Sequence, residues 1–161
     1  MSIEEKLKVM DETNRKNNAR WSMEQKCDCG IRLSDRGQIE VIKREENESV
    51  LQFCYRAIGC DTIDIVSAGR LNKKFCMAVD DEGLFAAEPA LNVLASYFYG
   101  MCEHGQPIVG NAVLLRNVKT DEGMDTCWFT KAQANKIASA IYSEAPWIMH
   151  NLLAYIYQNW R

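Results

Sequence analysis

The segment Cys27-Asp28-Cys29-Gly30 is the first candidate for chemistry in this sequence. Cysteine thiolates are common zinc ligands, so two of them at close spacing suggest a metal. Zinc knuckles, however, place two residues between their ligands and require a second close pair, which this sequence lacks. We therefore predict no metal and no cofactor, with Cys27 and Cys29 as free thiols at a strand edge or in a loop.

A second candidate is the acidic run Asp80-Asp81-Glu82, whose carboxylates could hold a cation. The simpler interpretation is a solvated tight turn in which the following Gly83 supplies a positive φ. We adopt the turn and assign no ligand role to these carboxylates.

Cys102 and His104 lie in a polar loop at a spacing that would allow a thiolate–imidazole pair. The sequence supplies no third group to orient the histidine. This pair therefore supports only an alternative function, that of a small enzyme, and we assign no catalytic residue to the favoured one.

Two asparagines interrupt apolar segments: Asn92 at the start of a helix and Asn111 in a core strand beside Gly110. A buried amide without partners costs about 1–3 kcal/mol, so each needs hydrogen bonds. One interpretation is local bonding to the backbone. The other is a polar floor for a small ligand, which makes Asn92 and Asn111 the candidate ligand-binding residues.

Aromatic residues occupy more than one face of the C-terminal segment, with Trp147, Tyr155 and Tyr157 outside its main apolar stripe. That stripe consists of Met149, Leu152, Leu153, Ile156 and Trp160. Tryptophan and tyrosine are enriched at interfaces, so we predict a homo-oligomer contact through these three residues. The alternative is that the N-terminal helix covers the second face within one chain.

The N-terminal third is predicted to contain two helices and a hairpin. A helix over residues 2–20 begins with a Ser2/Glu5 capping box, and a second begins at Ser49 with Gln52 as partner and ends at Gly59. The alternating segments Ile31–Arg36 and Gln38–Lys43 predict a hairpin that turns at 34–37.

The rest of the chain is predicted to contain strands and helices that do not alternate strictly. The strands expected are Thr62–Val66, Phe75–Val79, Leu84–Ala86, Ile108–Arg116 and Asp125–Phe129. The helices expected are Pro89–Tyr99, one capped by Thr130 and Gln133 that breaks at Ser143–Pro146, and a final one from Pro146. The predicted core includes Ile63, Ile65, Met77, Leu94, Ile108, Val113 and Ile137.

These elements favour an α+β domain, with a mainly antiparallel sheet, helices packed on one side, and further helices at both termini. We expect one domain over 1–161, made of a core at 48–142, an N-terminal helix and hairpin at 1–47 and a C-terminal helix at 143–161. The net charge of −3 weighs against nucleic acid, despite Arg15, Lys16 and Arg20. The sequence has neither a membrane span nor a signal peptide, which predicts a cytoplasmic protein.

The order of motifs in the core resembles the family catalogued as domain of unknown function 3846. The segments that carry the resemblance, over roughly residues 48–142, are Leu51–Val66, Ala78–Leu84, Pro89–Asn92, Ile108–Gly110 and Thr130–Ser139. The family often has two glycines where this chain has Gly59-Cys60. Its members occur in Gram-positive bacteria, their phages and mobile elements, so the resemblance implies a mobile-element origin but no activity.

The absence of catalytic motifs favours a non-catalytic binding protein. Combined with the family resemblance, it predicts a protein of phage or mobile-element origin that counters host defence, by binding a host protein or by sequestering a small nucleotide-like signal. The alternatives are the small enzyme at Cys102 and His104 and a nucleic-acid-associated accessory protein.

Overall fold

The computed structural model describes residues 2–10 and 26–159 of the chain. The strands in these residues are β1 (Cys27–Leu33), β2 (Ile39–Lys43), β3 (Ile63–Ser67), β4 (Phe75–Asp80), β5 (Ala112–Thr120), β6 (Gly123–Cys127) and β7 (Phe129–Thr130). The helices are α1 (residues 3–10), α2 (Val50–Ile58), α3 (Val93–Tyr99), α4 (Met101–His104) and α5 (Lys131–Asn159). A 3-10 turn spans Gly83–Phe85.

Within the described residues, seven strands form one sheet in the order β2-β1-β5-β4-β3, with β6 added beside β5 and β7 beside β1. Every strand pair in it is antiparallel. Ala112 of β5 lies opposite both Leu33 and Val79, which sets one end of the sheet. The opposite end is marked by the pair Cys29 and Lys43. The predicted α+β class and antiparallel sheet are confirmed.

The helices cover both faces of this sheet, which differs from the one-sided layer expected from the sequence. Residues of β4 alternate between the faces, with Met77 facing α3 and α5 and Ala78 facing α2. Phe53 of α2 reaches the sheet at Gly30, where a Cβ would lie 2.8 Å from the phenyl ring. A helix can approach the second face because the sheet has a glycine at that contact.

The predicted caps are present. Ser49 and Gln52 form a reciprocal capping box on α2, and Gly59 ends that helix with φ of 80°. Thr130 and Gln133 do the same at the start of α5, with bonds of 3.0 and 3.1 Å. Ser2 and Glu5 cap α1, which is described only to residue 10, so the rest of the predicted helix over 2–20 lies outside the described residues.

The segment after β4 departs from the prediction. The expected strand Leu84–Ala86 is instead the 3-10 turn, and Gly83 is buried with φ outside the positive range. A Cβ on Gly83 would lie 2.9 Å from the carbonyl oxygen of Val109, so glycine serves here for close packing. The next helix begins at Val93, not Pro89, because Leu91 forms a β-bridge with Val109 and Asn92, in an extended conformation, is the N-cap.

The expected break at Ser143–Pro146 is absent, and α5 runs continuously through Pro146. Proline removes one backbone hydrogen bond within a helix, but Ala145 and Ile148 on either side are buried and hold the helix against the core. The buried face of this part of α5 also differs from the apolar stripe predicted for the C-terminal segment. Ile148 is 2% exposed, whereas Leu153 is 44% exposed. Residues 143–159 are therefore part of α5 and do not form a separate helix.

One predicted core residue is misplaced. Ile65 is 42% exposed because β3 is an edge strand, and Ile63 on the same strand is only partly buried. Met77, Leu94, Ile108, Val113 and Ile137 are buried as predicted. β5 begins at Ala112, so Ile108 belongs to the segment that leads into it.

Candidate functional site

A cleft of about 790 Å³ opens where β1 begins, β2 ends and α5 begins. Lys26, Lys43 and Lys131 are among the residues that line it. The other lining residues are Asp28, Cys29, Val41, Ala132 and Asn135. Three amines and one carboxylate give this cleft a surplus of positive charge in a chain whose net charge is −3.

Strand pairing brings the three lysines together from distant parts of the sequence. Lys26 immediately precedes β1, and Lys43 ends β2 opposite Cys29. Lys131 enters the same region because Thr130 of β7 lies opposite Cys27. Lys131 also opens α5, a helix of 29 residues, whose first-turn N–H groups have no partner within the helix and carry partial positive charge.

The floor of the cleft is apolar at Val41 and holds the thiol of Cys29, which is 2% exposed. The Cys29 Sγ donates to Asp28 Oδ1 at 3.3 Å, and Asp28 Oδ2 lies 3.9 Å from Lys43 Nζ. Burial, followed by the hydrogen bond to Asp28, raises the pKa of Cys29 to about 11. The thiol is therefore protonated at neutral pH and is a poor nucleophile.

Asn92 lies outside this cleft and is fully buried. Its Nδ2 donates to the carbonyl oxygens of Leu33 and Gly110, each at 2.8 Å, and its Oδ1 accepts from Ala95 N at 3.1 Å. The amide caps α3 and ties the helix to β1 and to the chain before β5. This is the local backbone bonding that was one of the two interpretations of Asn92.

Asn111 is partly buried and also bonds to the backbone. Its Oδ1 accepts from Asp35 N at 3.1 Å, and its Nδ2 donates to the Ile58 carbonyl at 3.4 Å. It links the β1–β2 turn to the end of α2. Both amides thus bond to the backbone, and neither lines the lysine cleft.

The structure does not pair Cys102 with His104. Cys102 is exposed, and His104 stacks on Tyr99 with ring centroids 4.5 Å apart. The hydrogen bonds found in the described residues include none between the two side chains. In the acidic run, Asp80 Oδ1 accepts from Glu82 N at 3.0 Å, as expected for a turn. The described residues contain no group of three or more His, Cys, Asp or Glu that could hold a metal.

The three aromatic residues assigned to an interface are separated along α5. Trp147 is 58% exposed and packs edge-on against Tyr97 at 6.4 Å. Part of its surface faces α1, which binds α5 through a 2.9 Å ion pair between Lys6 and Glu144. Tyr155 and Tyr157 lie beyond α1 and are 36% and 74% exposed.

Sequence reasoning missed the lysines of the cleft. Each is a charged residue next to a strand or helix end, a position that usually means a solvated surface. No local pattern relates Lys43 to Lys131, which meet only through the register of β1 with β2 and β7. The basic residues considered earlier, Arg15, Lys16 and Arg20, lie outside the described residues.

The family model "Domain of unknown function (DUF3846)" matches residues 31–141. The match covers more than half of the chain, and the chain belongs to this family. The matched range begins 17 residues before the expected residue 48 and so includes most of the β1–β2 hairpin. No curated protein and no solved structure gave a significant match.

In the residues that the structure describes, no helix is both long and apolar enough to cross a bilayer.

Proposed function

We propose that this protein is a non-catalytic binding protein that takes a small phosphorylated, nucleotide-like ligand in the lysine cleft. The observation that carries the proposal is the convergence of Lys26, Lys43 and Lys131 from three elements on one cleft. Lysine ammonium groups bind phosphate as compact point charges, and a helix N-terminus adds to the same field. The volume of about 790 Å³ falls within the range of small-molecule sites.

The lining of the cleft supports binding of one end of the ligand by charge and of the other by apolar contact. The lysines lie at the rim, while Val41 and the protonated Cys29 provide an apolar floor. A phosphate would face the amines, and a sugar or base would lie on the floor. Asn135 adds an amide that can both donate and accept hydrogen bonds to a polar ring.

Binding without turnover is supported by the protonation state of the thiol in the lining. Cys29 carries its proton at neutral pH, and the described lining contains no histidine to remove it. The alternative enzyme would use Cys102 and His104, which line no part of this cleft. An origin in phages or mobile elements, a role against host defence and a cytoplasmic location belong to the same proposal, and they make signalling nucleotides the first probes.

Isothermal titration calorimetry with nucleoside mono-, di- and triphosphates and cyclic dinucleotides tests the proposal. Inorganic phosphate and an unphosphorylated nucleoside serve as controls. We expect one nucleotide class to bind, with affinity that falls as salt rises. The Lys43→Ala/Lys131→Ala variant should bind at least about 10-fold more weakly, because hydrogen bonds to charged groups contribute about 1.5–3 kcal/mol each.

The matched control is Lys73→Ala/Lys119→Ala, which removes two exposed lysines outside the cleft. Equal loss of affinity in both variants, or no binding of any probe, would overturn the cleft as the site. Chromatography of each incubated nucleotide checks turnover. A product that disappears in Cys102→Ala would favour the alternative enzyme instead.

A further inference from the structure

The loop between β4 and α3 exposes an apolar segment that nothing in the proposed function uses. Residues 84–90 are all exposed, and their side chains are apolar except for Glu88. Phe85 is 87% exposed and Leu84 is 48% exposed. Exposed contiguous apolar residues are unusual on a soluble surface and commonly mark an interaction site.

The base of this loop is anchored, so Phe85 is presented from a fixed position. Gly83 packs against the backbone of Val109 at the start of the loop. At its end, Gly110 N donates to the Ala90 carbonyl at 2.8 Å, and Leu91 bridges Val109. The 3-10 turn between these points is closed by Phe85 N bonding to the Glu82 carbonyl at 3.0 Å. The exposure of Phe85 is thus a property of an ordered turn.

Carboxylates surround the exposed phenyl ring in sequence. Asp81 and Glu82 precede it and Glu88 follows it, and none of the three forms an ion pair with another described residue. The chain from Phe75 to Leu115 contains no lysine or arginine. The partner of this loop must therefore offer positive charge around an apolar floor.

The same molecule carries a surface of that description in the lysine cleft. Three amines line it, and Val41 and Ala132 are among its apolar lining residues. The loop follows the Val79 end of the sheet next to the edge strand β3, whereas the cleft lies at the Lys43 end next to the edge strand β2. Opposite ends and opposite edges of one sheet prevent a loop from reaching its own cleft, so the match requires a second copy.

We propose that the Phe85 loop of one copy inserts into the lysine cleft of another. Phe85 lies on the floor at Val41, and Asp81, Glu82 and Glu88 face the amines of Lys26, Lys43 and Lys131. The contact joins two different surfaces, so each copy keeps one loop and one cleft unused and the association continues beyond the dimer. This contact goes beyond ligand binding and does not rest on the proposed function. A nucleotide bound in the same cleft would compete with the loop, and that competition alone depends on the proposed function.

Sedimentation velocity of the full chain over a range of concentrations tests the contact. We expect oligomers larger than dimers that dissociate as salt rises. A loop variant, Phe85→Ser/Glu88→Gln, and a cleft variant, Lys43→Glu/Lys131→Glu, should each sediment as monomers at concentrations at least about 10-fold above those at which the wild type assembles. Lys73→Glu/Lys119→Glu matches the charge change of the cleft variant and should assemble as the wild type does.

A mixture of the loop and cleft variants provides the deciding result. The first retains an intact cleft and the second an intact loop, so together they should form a one-to-one dimer and nothing larger. A wild type that is strictly monomeric, variants that assemble normally, or a mixture that stays monomeric would each overturn the proposal. If no nucleotide binds but the mixed dimer forms, the proposed function fails and the self-association stands.

Discussion

At the scale of single residues, the cleft joins a buried thiol to a carboxylate and a lysine. Cys29 donates to Asp28, and Asp28 lies near Lys43. The carboxylate of Asp28 therefore opposes ionisation of the thiol. It offsets only part of the positive charge of the cleft, because three lysines line the same space. Asn92, in contrast, has a structural role, because its buried amide joins three backbone segments.

The raised pKa of Cys29 predicts a specific dependence of stability on pH. The folded pKa of about 11 lies above the ordinary value of 9.0, so the folded state retains a proton that the unfolded chain loses between these values. This contribution is complete below about pH 9 and is lost as the pH rises toward 11. The free energy of unfolding should fall less steeply over this range in Cys29→Ala than in the wild type.

Urea unfolding at several pH values from neutral to alkaline measures this difference. Burial also raises the pKa of Cys54, to about 12. Its ionisation lowers the free energy of unfolding equally in both proteins as the pH rises, so it does not affect the comparison. A gap between wild type and Cys29→Ala that stays constant with pH would show that Cys29 ionises as easily in the folded protein as in the unfolded one.

At the scale of elements, exposure follows the position of a strand in the sheet. β4 has neighbours on both sides and helices on both faces, so Phe75 to Val79 are all buried. β3 alternates apolar with polar residues and lies at the edge. Tertiary packing also decides the length of α5. Residues on both sides of Pro146 are buried, and one helix forms where the sequence alone predicts two.

A matched pair of truncations tests this difference. Leu94 is 1% exposed in α3, and Leu94→Ala should lower the free energy of unfolding by about 2–5 kcal/mol. Ile65→Ala, at a residue 42% exposed, should lower it by about 1 kcal/mol or less. The denaturant midpoints of the two variants measure both losses, provided that the dependence of the free energy on denaturant concentration is unchanged. Equal losses would mean that β3 is covered in solution by something other than the described residues.

At the scale of the whole molecule, charge and aromatic surface are distributed unevenly. The lysine cleft and the acidic Phe85 loop lie at opposite ends of the sheet, and α5 extends over about 44 Å at 1.5 Å per residue. Its last two turns carry Tyr155 and Tyr157 beyond the part that α1 covers. The two surfaces for which we propose association between copies are therefore distinct.

The homo-oligomer contact expected at the end of α5 stays a prediction, and it differs in symmetry from the loop contact. A two-fold pairing of α5 would stop at a dimer. Light scattering after size exclusion of a Phe85→Ser protein, which lacks the loop contact, distinguishes the two contacts. The protein is a monomer if only the loop joins copies, and a dimer if α5 pairs them. Tyr155→Glu or Tyr157→Glu should convert it to a monomer. Met124→Glu, at an exposed residue of the β5–β6 hairpin, should leave it intact. A Phe85→Ser protein that is monomeric at high micromolar concentration contradicts the α5 contact.

Local features of this fold follow from the sequence alone because they depend on neighbouring residues. The capping pairs Ser49 with Gln52 and Thr130 with Gln133, the glycine after α2 and the hairpin at 34–37 each need only a few adjacent side chains. The α+β class follows from the same local patterns taken in order.

The tertiary structure decided what depends on contacts between distant segments. An alternating strand has the same pattern at an edge or in the centre of a sheet, so the exposure of Ile65 was set by the place of β3. Burial of Ala145 and Ile148 carried α5 through Pro146. The lysine cleft has no local signature, since electrostatic proximity of Lys43 and Lys131 arises only when β1 pairs with both β2 and β7.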